Sequence, residues 1–265
     1  MAKTRNRYSK IIESIFFNSY KKGITEIAFT RDEIVDEAIK LKVERPKNLG
    51  DIIYSFRHRN SFPESIVETA PEGSEWIIRA AGRGLYKFVV TSQSTFEPNK
   101  RLVETKIPDA TPGIIVKYAM TDEQALLAKI RYNRIIDIFT GLTCYSLQNH
   151  LRTSIPGLGQ IETDEIYIGI DKRGAHYIIP VQAKGGKDKL GIVQIEQDFA
   201  IGRSKFPNLI CKPIAAQFMT NGIIALFEFE SAKNGVAIVA EKHYRLVSAD
   251  ELTDDELEQY KTRSN

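Results

Sequence analysis

The spacing of apolar residues predicts three helices and a β-hairpin in the first 90 residues. In the first helix, Ile15 and Phe16 follow Ile12 by three and four positions, so the three side chains lie on one face. The second helix is expected to begin at Thr30, because Thr30 and Glu33 match the capping box of a helix N-terminus. The predicted elements are helices over 8–20, 30–41 and 48–59 and strands over 75–80 and 85–90.

A second group of elements follows residue 115. Apolar positions from Thr121 to Arg152 keep a helical spacing, which predicts one long helix that Gly141 can interrupt. Later segments alternate between strand and helix patterns, and this order predicts a mixed β-sheet with helices packed against it. The predicted strands cover 161–170, 175–184, 208–219, 223–230 and 235–247, and the helix between the second and third of them covers 188–201.

The stretch 93–115 separates the two groups. It contains three prolines and little periodicity, which is typical of a linker. The sequence therefore predicts a small domain over 1–92, a linker over 93–115 and a larger domain over 116–265. The fold class expected for the chain is α+β or α/β.

Composition indicates the class of protein and the compartment in which it is expected. Of its 265 residues, 27% are charged and 42% are hydrophobic, as in ordinary globular proteins. No apolar run approaches the roughly 20 residues that cross a bilayer, and the two cysteines, Cys144 and Cys211, stand far apart. We therefore expect a reduced, cytoplasmic protein without a membrane partner. The net charge of +3 is too small to indicate nucleic-acid binding by itself.

The turn after residue 170 determines which residues of the predicted hairpin face each other. Asp171 and Gly174 occupy the first and fourth positions of a type I turn with a glycine bulge, and this turn pairs Asp171 with Ala175. A plain two-residue turn would shift the pairing by one position and bring Glu165 to Gln182. We favour the bulged turn, because glycine at its fourth position readily adopts the left-handed conformation.

With this pairing, four polar side chains meet at the open end of the hairpin. Asp164 is predicted to lie opposite Gln182, and Glu162 opposite Lys184. Carboxylate and amide oxygens are hard ligands that suit Mg²⁺. A neighbouring lysine can orient or deprotonate a water, or neutralise charge on a phosphate. These are the parts that phosphodiester hydrolysis needs, although the same residue types are also common on solvated strand ends.

The arrangement resembles the motif of the PD-(D/E)XK nucleases, in which an acid on one strand precedes a second strand that ends in acid-x-Lys. Asp164 matches the first acid, and Gln182-Ala183-Lys184 matches the second element. The resemblance implies a restriction-endonuclease-like mixed sheet flanked by helices, Mg²⁺ held by Asp164 and Gln182, and a catalytic role for Lys184. It also implies a supporting role for Gln194, since a glutamine often occurs on the following helix.

The sequence departs from the family at its second acid, where Gln182 stands. An amide oxygen still binds a divalent cation, but more weakly than a carboxylate does. Glu162 or Glu165 is expected to supply the missing charge, so both belong to the candidate catalytic group. On the following helix, Gln194, Gln197 and Asp198 lie three or four positions apart and could face the site together. Because exposed polar residues are common on helices, only Gln194 is counted as a candidate.

Three helices followed by a hairpin resemble the winged-helix variant of helix-turn-helix domains. The resemblance implies that the third helix presents side chains to the major groove of DNA, and that the hairpin contacts phosphates. The candidate DNA-binding residues are Lys47, Tyr54, Arg57, His58 and Arg59 on or before that helix, and Arg83 and Lys87 on the hairpin. A helical domain with an ordinary basic surface, or a protein-interaction module, is the alternative.

Together the two resemblances imply a Mg²⁺-dependent, sequence-specific endonuclease of double-stranded DNA, of the kind that type II restriction enzymes represent. A two-fold homodimer is expected if both strands of a palindrome are cut. One alternative is a structure-specific resolvase or repair nuclease, which would give no discrete fragments. Another is a DNA-binding regulator with a catalytically inactive nuclease fold, which would bind DNA and cut nothing.

Overall fold

The computed structural model describes residues 7–58, 60–118, 123–186, 188–232 and 235–263. The chain groups into two compact units. The first comprises the chain up to Phe96, with Arg152–Ile161 and Gly191–Val193; the second comprises Glu97–Leu151, Glu162–Leu190 and the chain from Gln194. The predicted boundary at residue 92 is close to this division, but the two segments that return to the first unit were not predicted.

The first unit combines helices with a small antiparallel sheet. The sheet has the strand order β1-β3-β2, and both neighbouring pairs are antiparallel. The predicted helices and hairpin are present, whereas β1 and the short α4 were not predicted. In chain order the elements are α1 Arg7–Ser19, β1 Glu26–Thr30, α2 Arg31–Lys40, α3 Gly50–His58, α4 Glu64–Val67, β2 Glu75–Gly82, β3 Leu85–Thr91 and β4 Thr95–Phe96.

Local signals set the ends and faces of these helices as predicted. Ile12 and Phe16 of α1 are fully buried, and Phe16 meets Trp76 of β2 edge to face with ring centroids 5.0 Å apart. The Thr30 side chain accepts a hydrogen bond from the Glu33 N–H, and the Glu33 side chain accepts one from the Thr30 N–H. This capping box confirms the predicted start of α2.

The second unit is built on a large mixed sheet with helices. Its path runs β5-β13-β12-β11-β8-β7-β6, and β10 pairs with β8 beside that path. No helix in the described ranges has both the length and the apolar character needed to cross a membrane. The elements are β5 Glu104–Pro108, α5 Gly113–Tyr118, α6 Glu123–Tyr132, α7 Ile135–Thr140, β6 Thr143–Ile155, β7 Gly159–Ile170, β8 His176–Lys184, β9 Leu190–Gly191, α8 Ile192–Lys205, β10 Ile210–Cys211, β11 Ile214–Phe218, β12 Ile223–Ala232, β13 Gly235–Val247, a 3₁₀ turn Ala249–Glu251 and α9 Asp254–Thr262.

Strand β8 lies inside the sheet, antiparallel to β7 and parallel to β11. Every residue from Ile178 to Lys184 is buried, as expected of a strand covered on both faces. Helix α6 covers one face, where Leu126 packs into the same core as Ile179. Helix α8 covers the other face, where Gly202 approaches Ile178. The side chains at the end of β8 therefore lie between α6 and α8.

The prediction of one long helix from 121 to 152 is wrong. The described part of this stretch forms α6, α7 and β6, and Thr121, the predicted cap, lies outside the described residues. Gly141 ends α7 with φ of +68°, a conformation that glycine adopts without strain. Beyond it, β6 is an edge strand whose Leu147 is 53% exposed, so the helical spacing of its leucines marks no buried face. Residues 148–152 accordingly lie on a strand, not at a helix end.

Three further boundaries differ from the predictions. The expected linker 93–115 contains β5, which pairs in parallel with β13 at the sheet edge. The expected strand 208–219 is divided into β10 and β11 around Pro213, which has no N–H to give to a ladder. The helix expected from residue 188 begins at Ile192.

Candidate active site

The hairpin of β7 and β8 has the register that the bulged turn predicts. The Asp171 N–H donates to the Ala175 carbonyl oxygen at 3.1 Å, and the Gly174 N–H donates to the Asp171 carbonyl oxygen at 3.0 Å. Gly174 has φ of +82°, the left-handed value that the bulge requires. From the turn, the pairing runs without a shift to Glu165 opposite Val181. The bulged turn is therefore confirmed and the plain two-residue turn is wrong.

Beyond this last pair the main-chain ladder ends, and side chains provide the hydrogen bonds between the two strands. The Asp164 carboxylate accepts a hydrogen bond through Oδ2 from the main-chain N–H of Ala183 at 2.8 Å. The Thr163 hydroxyl donates to the carbonyl oxygen of Val181 at 3.3 Å. No described residue donates a hydrogen bond to the other carboxylate oxygen, Oδ1. Asp164 is thus held in place by one oxygen, and the second is available to a ligand.

The ammonium group of Lys184 lies at the end of β8, and the side chain is only 11% exposed. Its Nζ donates to Glu123 Oε1 at the start of α6 at 2.9 Å, and to the carbonyl oxygen of Ala183 at 2.9 Å. An ammonium group has three N–H bonds, so these contacts leave one for a water or a phosphate oxygen. Glu123 keeps the buried amine paired and fixes its position.

The Gln182 side chain is buried against α8. Its Nε2 donates to Asp198 Oδ1 at 3.0 Å and to the main-chain oxygen of Glu162 at 3.4 Å. Its Oε1 accepts from Gln194 Nε2 at 3.4 Å. Asp198 is fully buried, and its Oδ2 has no hydrogen-bond partner among the described residues. Burial raises the pKa of Asp198 well above its usual range.

Negative charge accumulates around Asp164. Burial raises the pKa of this carboxyl, and the charges of Glu123 and Glu162 raise it further, while a main-chain N–H and Lys184 act in the opposite direction. Glu162 itself pairs with His150 of β6, with 3.1 Å between Oε1 and Nε2. A divalent cation bound here would relieve the repulsion between the carboxylates.

Glu165, the other glutamate expected to supply charge, does not join this group. It is fully buried, and its Oε1 accepts hydrogen bonds from Arg131 Nε at 3.0 Å and from Ser146 Oγ at 2.5 Å. These partners belong to α6 and β6. Glu165 therefore connects three elements of the second unit and has a structural position, whereas Asp164 is hydrogen-bonded to Ala183, the residue before Lys184.

We expect replacement of Arg131 by methionine to lower the free energy of unfolding by about 2 kcal/mol. The change leaves the buried carboxylate of Glu165 without its cation, and this cost is moderated because Arg131 is 37% exposed. Urea unfolding measures the effect. A matched double variant, Arg131→Met with Glu165→Gln, should recover most of the loss, since no unpaired charge then remains. Unchanged stability in the single variant would contradict the structural role of the pair.

The donors at this place fit a hard cation such as Mg²⁺. Asp164 offers Oδ1, Gln182 offers an amide oxygen, and Glu123 offers a carboxylate that is 38% exposed. No cluster of three or more His, Cys, Asp or Glu side chains arranged to hold a metal occurs in the described part of the chain. Mg²⁺ is commonly held by one or two carboxylates and retains several waters, and the site provides such a set.

In the first unit, three of the candidate DNA-binding residues are open to solvent. Lys47, which precedes α3, and Arg83, in the turn between β2 and β3, are exposed. Tyr54 of α3 is 51% exposed. These side chains can reach a ligand without rearrangement of the core.

The other four candidates are placed differently. Arg57 of α3 is partly buried, with Nε and Nη2 covered. Lys87 pairs with Glu26 of the neighbouring strand at 2.6 Å, so a phosphate contact would compete with this ion pair. Helix α3 ends at His58, and Arg59 lies outside the described residues.

Two residues of the site were not among the predicted catalytic residues. Glu123 approaches Lys184 only because α6 packs on β8, and no local motif marks it. Asp198 has a weak signal in the sequence, since it follows Gln194 by four positions on α8. Its contact with Gln182 depends on the docking of the helix.

No family model, curated protein or solved structure matches this chain. What the site can do therefore follows from its own residues and their contacts.

Proposed function

We propose that this protein is a Mg²⁺-dependent endonuclease that hydrolyses phosphodiester bonds at specific sequences in double-stranded DNA, as type II restriction enzymes do. The observation that carries the proposal is that Asp164 of β7 accepts a hydrogen bond from the main chain of Ala183, next to Lys184 at the end of β8. Asp164 has an oxygen without a hydrogen-bond donor among the described residues, and Lys184 has a nearly buried ammonium group. A cation ligand and a fixed positive charge side by side suit an attack on a phosphate.

Each side chain then has a distinct role. Asp164 and Gln182 would hold the cation, which supplies Lewis-acid activation of the phosphate when bound. Lys184 orients the attacking water or stabilises the charge that builds on the phosphate oxygens. Glu123 holds the Lys184 amine in position through their 2.9 Å contact.

The element order of the first unit supports a winged-helix interpretation. A helix, a strand, three helices (α2, α3 and the short α4) and a hairpin follow one another, and β1 adds to the hairpin sheet in the order β1-β3-β2. Helix α3 would enter the major groove, where the exposed Tyr54 can contact base edges. The turn that carries Arg83 would contact phosphates.

Plasmid DNA incubated with the purified protein tests the proposal. We expect discrete fragments with Mg²⁺ and intact plasmid with a chelator. A preference for branched DNA without discrete fragments would indicate a structure-specific nuclease instead of a restriction enzyme. DNA binding in a gel without any cutting would instead indicate a regulator with an inactive site. Discrete fragments from a palindromic site would also support a two-fold homodimer.

Replacement of Arg83 by alanine should weaken DNA binding by a similar factor for all sequences. The reason is the loss of one phosphate contact, which releases about one counterion fewer on binding. Binding measured over a series of salt concentrations should show a log-log slope reduced by about 1. Lys22→Ala removes the same charge from an exposed position after α1 and serves as the control. Equal log-log salt slopes for Arg83→Ala and Lys22→Ala would exclude a phosphate contact by Arg83.

A further inference from the structure

The two edges of the large sheet, β5 and β6, differ in how they are protected, and the edge at β5 is covered. Helix α9 lies against β5, where the Lys106 N–H donates to the Tyr260 hydroxyl at 3.0 Å and the Lys106 ammonium pairs with Glu256 at 2.7 Å. Pro108 ends β5 and has no N–H to offer. Charged side chains, proline and a covering helix are means by which proteins keep a sheet edge from pairing with another chain.

The edge at β6 lacks this protection over residues 143–149. The stretch has no charged residue and no proline, and no described strand pairs with β6 on the side away from β7. Only its start is engaged, where the Cys144 N–H donates to Asp137 Oδ1 of α7 at 2.9 Å. Beyond it, Tyr145 is 59% and Leu147 is 53% exposed. The outward main-chain groups and these apolar side chains are therefore open to a further strand.

We propose that β6 pairs with β6 of a second copy of this chain, antiparallel about a two-fold axis at Ser146. The inference rests on the proposed function and names its partner, because two copies are needed to cut both strands of a palindromic site. An antiparallel strand can pair with its own copy, since a two-fold axis lets each copy satisfy the main-chain groups of the other. The large sheet would then continue from one copy into the other.

The register follows from the two exposed apolar side chains. With Ser146 opposite Ser146 of the second copy, Tyr145 faces Leu147 on both sides of the axis. Positions 145 and 147 lie on the same face of the strand, and an aromatic side chain opposite an aliphatic one stabilises a strand pair. With Leu147 opposite itself, Tyr145 would face Asn149 instead, and less apolar surface would be covered. The stretch is uncharged, so two copies meet without repulsion, which favours a second copy as the occupant.

Sedimentation velocity of the full chain without DNA tests the inference. We expect the wild type to dimerise, and Leu147→Lys to raise the dimer dissociation constant about 10-fold or more, because each dimer loses two apolar pairs and gains two charges. Val103→Lys adds the same charge at an exposed apolar position before β5 and should dimerise as the wild type does. A wild type that stays monomeric, or Leu147→Lys that dimerises as tightly as this control, would overturn the inference.

Cysteine cross-linking tests the register and still decides if Leu147→Lys fails to fold. Mild oxidation of mixed Tyr145→Cys and Leu147→Cys proteins should give a disulfide-linked dimer, since these positions face each other across the axis. Each variant alone should give much less, because identical positions are two residues out of register. The wild type should give none, since Cys144 is buried. A mixture that yields no more linked dimer than the single variants would overturn the inference.

Failure of the interface is distinguishable from failure of the proposed function. A protein that dimerises through β6 but cuts no DNA would remove the proposed function and leave the interface. A monomer that cuts plasmid DNA into discrete fragments would remove the interface and leave the proposed function.

Discussion

Replacement of Lys184 by alanine is expected to abolish DNA cleavage and to leave DNA binding intact. Lys184 provides the fixed positive charge of the site, and one of its N–H bonds remains for a water or a phosphate oxygen. Loss of such a group commonly costs a factor of about 100 or more in rate. Single-turnover cleavage of supercoiled plasmid measures the rate, and a gel-shift assay measures binding.

The matched control for this variant is Lys172→Ala. Lys172 is exposed in the turn between β7 and β8, at the opposite end of β8 from Lys184, so its loss removes the same charge from the same hairpin. The control should cut at the wild-type rate. If Lys184→Ala cuts as fast as the control, Lys184 has no catalytic role.

Replacement of Asp164 by asparagine is expected to reduce Mg²⁺ affinity at least about 100-fold and to stop cleavage. The carboxylate is the charged ligand on β7, and a neutral amide at this position binds a divalent cation far less well. Asparagine keeps an oxygen that can accept the Ala183 N–H, so the strands should stay together. Calorimetry with Mg²⁺ and the plasmid assay measure the two effects.

Asp255→Asn provides the control for this second variant. Asp255 is exposed in the first turn of α9, and its loss should change neither Mg²⁺ affinity nor cleavage. Thermal unfolding should show both variants folded. Wild-type Mg²⁺ affinity in a folded Asp164→Asn protein would show that the cation lies elsewhere.

The register of the central hairpin could be predicted from sequence because one short turn determines it. Asp171 and Gly174 specify a bulged turn, and each residue of the strands then has a defined partner. The same local logic predicted the capping box at Thr30. Signals of this kind depend on neighbours in the chain, so they need no knowledge of the tertiary fold.

The errors fall where distant contacts override local patterns. The leucines of β6 repeat with a helical spacing, but the segment is an edge strand because it pairs with β7. The proline-containing stretch around β5 is ordered by pairing with β13, which lies more than a hundred residues later in the chain.

The composition of the candidate site was predictable only in part for the same reason. The hairpin register brings Asp164 to the main-chain N–H of Ala183, the neighbour of Gln182, and Asp164 and Gln182 were both predicted. Glu123 joins Lys184 through the packing of α6, and Asp198 joins Gln182 through the packing of α8. The turn that sets the hairpin register does not determine where α6 or α8 packs. Glu165 was predicted as a source of charge, but it pairs with Arg131 because α6 covers that face of the sheet.

The cation site itself can be located directly with a crystal soaked in Mn²⁺, which shares the oxygen ligands of Mg²⁺ and scatters anomalously. We expect one anomalous peak at the open end of the hairpin, within bonding distance of Asp164 Oδ1 and Gln182 Oε1, and no such peak in Asp164→Asn. A peak elsewhere with none between these two side chains would contradict this expectation.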